Sequence, residues 1–367
     1  MIGESYSKRV DWNEQVDYSD PFDALRNASQ GWEPGTTLVL IDSRHAAYRA
    51  WHTRQLSTED GTDTSALHGV LHIAAATCEC AREACPVFVW DGNVKYKRSI
   101  YPEYKIRHDR QRTPEEEADH IKAQRSLKTA QVALSMFDVP TLCIPDIEAD
   151  DAIGLAVGEI EKRFTSGNCA YKRVVIVSDD KDYYQLAQDK PMPVYVWRGN
   201  LQQLRTASDL KRQYGFSMLY FPLYKALVGE PATGDNIPGV PGVGDKTAAA
   251  LVTAHASIQS LLDHCARACR TGKPKKVERN IHSCGEPHIN RALVLSRIVR
   301  RYGDLSVYKQ HVDSKRAQRL VCEALDRASL SERHVSRKQL RKFAQTYEFR
   351  ATDPIQLACS LGLTVTD

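Results

Sequence analysis

Residues 229–250 read GEPATGDNIPGVPGVGDKTAAA. An acid in a loop, Asp235, precedes a doubled Pro-Gly step, and the run ends in a strong helix former. Gly239, Gly242 and Gly244 allow backbone angles that side-chained residues avoid, while Pro238 and Pro241 remove amide donors and stiffen the turn. The pattern predicts a glycine hairpin feeding a helix N-terminus that starts near Lys246 and Thr247. The free amides and positive dipole end of such a terminus suit a phosphate, and the small residues let a nucleic-acid backbone come close. A lone glycine loop is commonly just a turn. Here the acid, the two Pro-Gly steps and Gly-x-Gly-Asp-Lys-Thr-Ala coincide, which favours a DNA-binding hairpin.

Upstream of the hairpin the chain alternates. TLVLID (37–42), PVFVWD (86–91), KRVVIVSDD (172–180) and PVYVW (193–197) are short apolar, β-branched runs that predict buried strands. Helical stretches lie between them, at 66–84, 113–137 and 148–164. Such alternation predicts an α/β fold with a parallel, doubly wound sheet. From about residue 207 the strand signal disappears and the remainder reads as helical. Three regions are expected: a polar, acid-leaning and partly disordered N-terminal extension over 1–35, an α/β domain over 36–206, and a helical region over 207–367 carrying the hairpin motif within 222–256.

Acids cluster where such sheets place their sites, at the carboxyl edge. Asp42 and Asp91 end strands. Glu148, Asp150 and Asp151 open a helix in IEADDAIG, Asp180 and Asp182 follow a strand in SDDKDYYQL, and Asp235 precedes the hairpin. Any one of these is most simply an N-cap or a solvated charge. The set is not: so many carboxylates converging on one edge repel each other unless cations neutralise them, and oxygen-rich sites suit Mg²⁺ or Mn²⁺. Directly after Asp91 comes DGNVKYKRSIYPEYKIRHDRQR, with Lys95, Lys97, Arg98, Lys105, Arg107, Arg110 and Arg112 interleaved with Tyr96, Tyr101 and Tyr104 and diluted by Glu103 and Asp109. Cations pair with phosphates and aromatics stack on unpaired bases. A solvated helix face is the commoner fate of such a strip; its place beside an acid of the set favours function.

These motifs together resemble the 5′-nuclease family, which includes the 5′-nuclease domain of bacterial DNA polymerase I, the phage 5′-exonucleases and the flap endonucleases. The hairpin run resembles the family's helix–three-turn–helix, and VLIDSRHAAYRAWH, VFVWD, IEADDAIG and VSDDKDYYQL resemble its acidic motifs in the family's order. The resemblance spans roughly residues 37–300. It implies a PIN-like, Rossmann-like sheet and metal ligands at Asp42, Asp91, Glu148, Asp150, Asp151, Asp180, Asp182 and Asp235. Glu230 stands where the family has another Asp, in a loop two residues longer, and Asp179 stands where it usually has Gly. YPEYK implies an arch over the site, across about 92–125, through which a single-stranded 5′ end passes. Lys97 or Arg98, with Lys105, would clamp the scissile phosphate, and Tyr104 and Arg107 would lie on the nucleic-acid path.

The activity implied is two-metal hydrolysis of phosphodiester bonds near single-strand/duplex junctions, as 5′-3′ exonuclease and flap endonuclease. It would act on DNA with a 5′ flap or 5′ end and on RNA primers, as a monomer, with K⁺ on the hairpin backbone. A non-catalytic DNA-junction binder of the same fold and a PIN-type ribonuclease are the alternatives. The retained acids argue against the first and the glycine hairpin against the second.

The net charge of +4 over 367 residues is too slight to signal nucleic acid by itself, so the local distribution carries that argument. No apolar run reaches membrane-spanning length, and the N-terminus is too polar for a secretory signal. A stand-alone cytoplasmic enzyme with no membrane partner, of a kind that phages encode, is therefore expected. Most of the ten cysteines sit in apolar contexts and read as small buried hydrophobes in a reducing compartment. One cluster, His264, Cys265, Cys269, His282, Cys284 and His288, offers donors for zinc, in competition with plain helix packing and a polar loop.

Overall fold

The structure, a computed structural model, describes residues 22–53, 55–106, 112–137, 139–230, 234–255, 257–308, 312–329, 333–349 and 353–367. A six-stranded sheet lies at its centre, in the order β3-β2-β1-β4-β5-β6. These are β1 (Thr37–Asp42), β2 (Cys85–Trp90), β3 (Thr141–Cys143), β4 (Arg173–Val177), β5 (Val194–Arg198) and β6 (Gln203–Arg205). All neighbours run parallel except β6, which is antiparallel to β5.

Every residue of β1 is buried, which its unbroken apolar run requires of a strand covered on both faces. Side chains alternate between two cores. Val39, Ile41, Phe88, Trp90, Val175 and Val177 pack under α1 (Asp23–Ala28), α2 (Ser43–Thr53) and α3 (Ser65–Cys80). After β2 come a short α4 (Lys95–Arg98) and the long α5 (Pro114–Leu134), which joins the same layer through Leu127, Ala130 and Leu134. Leu38, Leu40, Val87, Val89, Val174 and Ile176 face the other way, onto α6 (Ala149–Thr165) and the helices that follow.

The C-terminal half is largely helical: α7 (Ala207–Tyr214), α8 (Phe221–Val228), α9 (Asp245–Ala254), α10 (Ile258–Arg270), α11 (Lys276–Ser296), α12 (Ser314–Ala328), α13 (Arg337–Thr346) and α14 (Pro354–Ser360). Helices α7 to α12 share the α6-side core. The last two cross to the other side, where Leu340, Phe343 and Leu357 join α3 and α5. Two strands, β7 (His334–Ser336) and β8 (Thr364–Thr366), pair in parallel in this half. The sequence shows no strand there, because three residues are too few to display a period of two. Residues 1–21 of the expected extension lie outside the described residues. Beyond them the chain is docked: Phe22 stacks on Trp197 and Trp32 on Tyr195, with ring centroids 5.6 and 5.7 Å apart. Among the described residues no helix is long and apolar enough to cross a membrane.

The chain reverses its direction of growth across the sheet between β1 and β4. Ligands of such sheets bind at this switch, outside the carboxyl ends of the strands. Asp42 closes β1 there, and Asp180 lies just past β4.

Candidate active site

Helix α6 begins at the switch with an unusual division of labour. Glu148 is its N-cap by backbone angles (φ −70°, ψ 157°), yet its side chain caps nothing. The first amide is served instead by Asp91, reaching from the end of β2: Ala149 N donates to Asp91 Oδ1 at 2.7 Å. Asp150 Oδ1 accepts from the amide of Asp151 at 2.6 Å. Capping by a neighbouring strand leaves the Glu148 carboxylate free to face inward.

There it meets lysines. Lys97 Nζ lies 2.9 Å from Glu148, 3.4 Å from Asp150 and 3.3 Å from Asp151, while Lys97 is 1 % exposed. Lys105 donates to Glu148 as well and lies 3.8 Å from Asp235. Tyr104 OH donates to Glu148 at 3.1 Å and contacts Asp235 at the same distance. Burial pushes Glu148 up, but Lys97 and Lys105 win and hold its carboxyl down to about 2. Asp150 goes the other way: burial, with Asp151 and Glu148 beside it, pushes its carboxyl well above the usual range.

The remaining acids complete the arc. Asp42 accepts from Ser178 Oγ and Tyr183 OH, each at 3.1 Å, and burial raises its carboxyl, with Asp91 adding to the effect. Asp180 caps a 3₁₀ turn (Lys181–Leu186), accepting from the amide of Asp182 at 2.8 Å. Because this turn is not an α-helix, the two carboxylates splay. Asp182 meets Lys225 Nζ at 2.7 Å, and Glu230 meets the same ammonium at 3.4 Å. Burial and Asp180 push Asp182 up to about 6, and burial, then Asp235, raises Glu230.

Two adjoining clefts result. Asp42, Asp91, Glu148, Asp150, Asp180 and Lys105 line a cleft of about 1640 Å³ that runs out between α2 and α5. Asp180, Asp182, Glu230, Lys225 and Lys246 line its neighbour, so Asp180 borders both.

The donors are almost all carboxylate oxygens, hard ligands of the kind Mg²⁺ and Mn²⁺ take. Several are buried carboxylates whose charge the lysines only partly offset. On that chemistry the residues fit divalent cations. Among the described residues no three acids form a closed ligand ring; ammonium groups stand between the pairs.

Several expected site residues are placed differently. Asp151 is fully buried and turned from the cleft: Val299 N donates to its Oδ1 at 2.7 Å and Tyr96 OH to its Oδ2. It anchors the floor under the ligands. Arg98 is spent on the backbone, donating to the carbonyls of Tyr104 and Lys105 at 3.0 and 3.1 Å. Tyr104 is 0 % exposed and so offers no face to a base. Arg107 lies outside the described residues.

In the hairpin only Gly242 has a left-handed backbone (φ +78°); Gly244 is extended (φ −105°) and caps α9. Gly239 is needed for closeness instead, since a Cβ there would lie 2.3 Å from the carbonyl oxygen of Val228. Lys246 is exposed at the start of α9 and Thr247 half-buried behind it. The hairpin is braced from α11: Asn280 donates to the carbonyl of Pro241 at 2.7 Å and His288 to that of Gly239 at 3.0 Å.

The Cys/His cluster does not assemble. His264 pairs with Glu278 at 3.3 Å, His288 holds the hairpin, and no group of three such donors occurs among the described residues. Sequence reasoning missed Lys225, Arg44 (3.4 Å from Asp91) and the Arg49–Asp179 pair (2.6 Å). Lys225 carries no motif signal, since only the fold brings α8 to the turn after β4.

Residues 37–215 match the family "5′-3′ exonuclease, N-terminal resolvase-like domain", and residues 220–295 match "5′-3′ exonuclease, C-terminal SAM fold". The chain belongs to the 5′-3′ exonuclease family. It is 31% identical to a 5′-3′ exonuclease of Aquifex aeolicus over 229 residues, covering 62% of this chain and 72% of that one. It is equally 31% identical to DNA polymerase I of Mycobacterium tuberculosis over 236 residues, but spans only 24% of that longer protein. Among solved structures, the D15 protein of phage T5, co-crystallised with metal ions, superposes with a TM-score of 0.63 at 20% identity, over 80% of this chain and 100% of that one.

Proposed function

We propose that the chain is a Mg²⁺-dependent, structure-specific 5′-nuclease that cuts DNA near the junction of a single 5′ strand with a duplex. The observation that carries this reading is the convergence of acids from four separate elements, β1, β2, α6 and the turn after β4, on one cleft, whose neighbour is lined by Asp245 and Lys246 of the helix that follows the glycine hairpin. Asp42, Asp91, Asp150 and Asp180, with Glu148 in support, would hold divalent cations on the first cleft's floor. Asp182 and Glu230 could contribute on the side of the second, and Asp235 from beside Lys105. Such ions, when bound, supply Lewis acidity toward a phosphate and offset its charge.

The chain's own groups do the rest. Among the described residues Lys105 is the cation of the strip that both touches Glu148 and lines the cleft, so it is placed to meet the scissile phosphate. Lys97, buried beneath, fixes the acids rather than the substrate. The amides of the hairpin and of the first turn of α9, with Lys246, would hold duplex phosphates and set the distance to the cut. The cleft between α2 and α5 would take the single strand, with Tyr48, His52 and Arg112 on its walls. The related T5 protein was solved as a flap endonuclease with DNA and metal ions, which supports the substrate class. Acting on DNA, the enzyme would work in the cytoplasm.

The test is release of label from a 5′-labelled flap across a titration of Mg²⁺ or Mn²⁺, with EDTA and an RNA flap as controls. Metal-dependent release of short 5′ products from DNA is expected. Silence at every metal concentration would leave only a junction binder, and a strong preference for the RNA flap would point to a ribonuclease.

A further inference from the structure

Helix α13 lies beyond residue 295, where the second family match ends. It is sharply two-faced. Leu340, Phe343 and Tyr347 point into the core, where Phe343 packs edge-on against Phe137 with ring centroids 4.5 Å apart. The opposite face presents Arg337, Lys338, Arg341 and Lys342, all exposed. No acid occurs from His334 to Tyr347. Arg337 is 3.3 Å from Asp367, while Lys338, Arg341 and Lys342 have no ion-pair partner among the described residues. An ordinary surface helix intersperses acids one turn away, as α12 does with Arg319 and Glu323 at 3.8 Å. Like charges at that spacing destabilise a helix, so α13 carries a basic face that nothing on its own surface neutralises.

Its position says which one. The loop over 55–63 forms one wall of the large cleft through Gln55, Leu56, Ser57 and Asp60–Asp63, and the amide of Glu59 in this loop donates to Glu348, just past α13, at 2.9 Å. The other wall is α5, which lines the cleft as far as Thr129 and then runs on to Leu134 and Phe137, packed under α13. The elements that form both walls of the cleft therefore continue to α13 and to Glu348 just past it.

We propose that the outer face of α13 binds the phosphates of the single 5′ strand after it leaves the cleft, an inference that rests on the nuclease reading of that cleft. Arg337 and Arg341, like Lys338 and Lys342, are four residues apart, about 6 Å along the axis, so neighbouring phosphates of one strand can be met together. The contact is to the backbone and carries no sequence preference.

The test compares Lys338→Ala/Arg341→Ala/Lys342→Ala with the parent chain for binding in Ca²⁺. One flap DNA carries a 5′ strand of about thirty nucleotides, well past the span of a single-strand platform, and the other a 5′ strand too short to leave the cleft. Affinity for the long flap is expected to fall about tenfold, and the slope of log affinity against log salt to shrink by about 2, from three cations at about 0.7 each. The short flap should bind as before. Lys338→Arg/Lys342→Arg, which keeps the charge, should match the parent, and equal melting temperatures exclude misfolding. Unchanged long-flap affinity, or an equal loss on both flaps, overturns the proposal, as does loss of binding to anionic vesicles with DNA affinity intact. Failure of the nuclease reading shows separately, as a parent chain that releases no 5′ label from either flap in Mg²⁺.

Discussion

Lys97 Nζ sits 2.9 Å from Glu148 Oε2 where almost no solvent reaches. With Asp150 at 3.4 Å and Asp151 at 3.3 Å, one ammonium offsets three acids. Removing one partner of a buried ionic cluster is costly because the others stay buried and uncompensated. Lys97→Met is expected to destabilise the metal-free chain by about 3–5 kcal/mol, read from urea unfolding. A loss below about 1 kcal/mol would mean that Lys97 behaves as a surface cation.

Asp150 should show the reverse. Burial and two neighbouring acids disfavour its charge, so the folded chain carries the carboxylate at a cost. Asp150→Asn is expected to raise the melting temperature in EDTA by about 2 °C or more, as a gain of about 1 kcal/mol does for a chain of this size, while cleavage is lost. A lower melting temperature together with retained cleavage would contradict both halves.

Asp182 supplies a pH dependence. Its carboxyl is pushed up to about 6, chiefly by burial and then by Asp180, whereas in the unfolded chain it titrates near about 3.9. The folded state thus holds a proton that the unfolded state releases. Its contribution to stability is present below about pH 4, is lost as pH rises toward about 6, and is flat above. In EDTA the Asp182→Asn stability–pH curve should lack this fall, so the difference between the parent's curve and the variant's should slope across that window. A difference curve without slope across that window would show that Asp182 ionises normally.

The two hairpin glycines should separate. A Cβ on Gly239 would meet backbone atoms of Val228 and Gly229 at 2.3–2.6 Å, whereas one on Gly244 meets nothing within 4 Å and finds a φ of −105°. Gly239→Ala is expected to cost about 1–3 kcal/mol by overpacking and to weaken duplex binding. Gly244→Ala should stay within about 0.5 kcal/mol of the parent. Equal effects in melting and duplex titration would refute the close-approach reading.

The central strands were legible because fully buried parallel strands need unbroken apolar runs: TLVLID became β1 as read, and KRVVIVSDD contains β4. The acids at strand ends were legible for the same reason, as charges that interrupt such runs. What the sequence hid is longer in range or shorter in extent. β3, β6, β7 and β8 have three residues each, too few to carry a period. Asp151 sits one residue from Asp150 and carries the same chemistry, yet α6 turns it onto Val299 rather than the cleft. Tyr104 and Arg98 read as a basic, aromatic strip, but the chain folds them beneath Glu148 and onto backbone carbonyls. Lys225 became visible only when α8 docked beside the turn after β4.

The most direct test of the central claim, that these acids hold the divalent ions that cut DNA, is Asp180→Asn on a 5′-flap DNA. Asp180 borders both clefts. With Mg²⁺, release of the 5′ product is expected to fall by at least about a hundredfold, while flap binding measured in Ca²⁺ survives. Cleavage by the variant at the parent's rate would contradict the account.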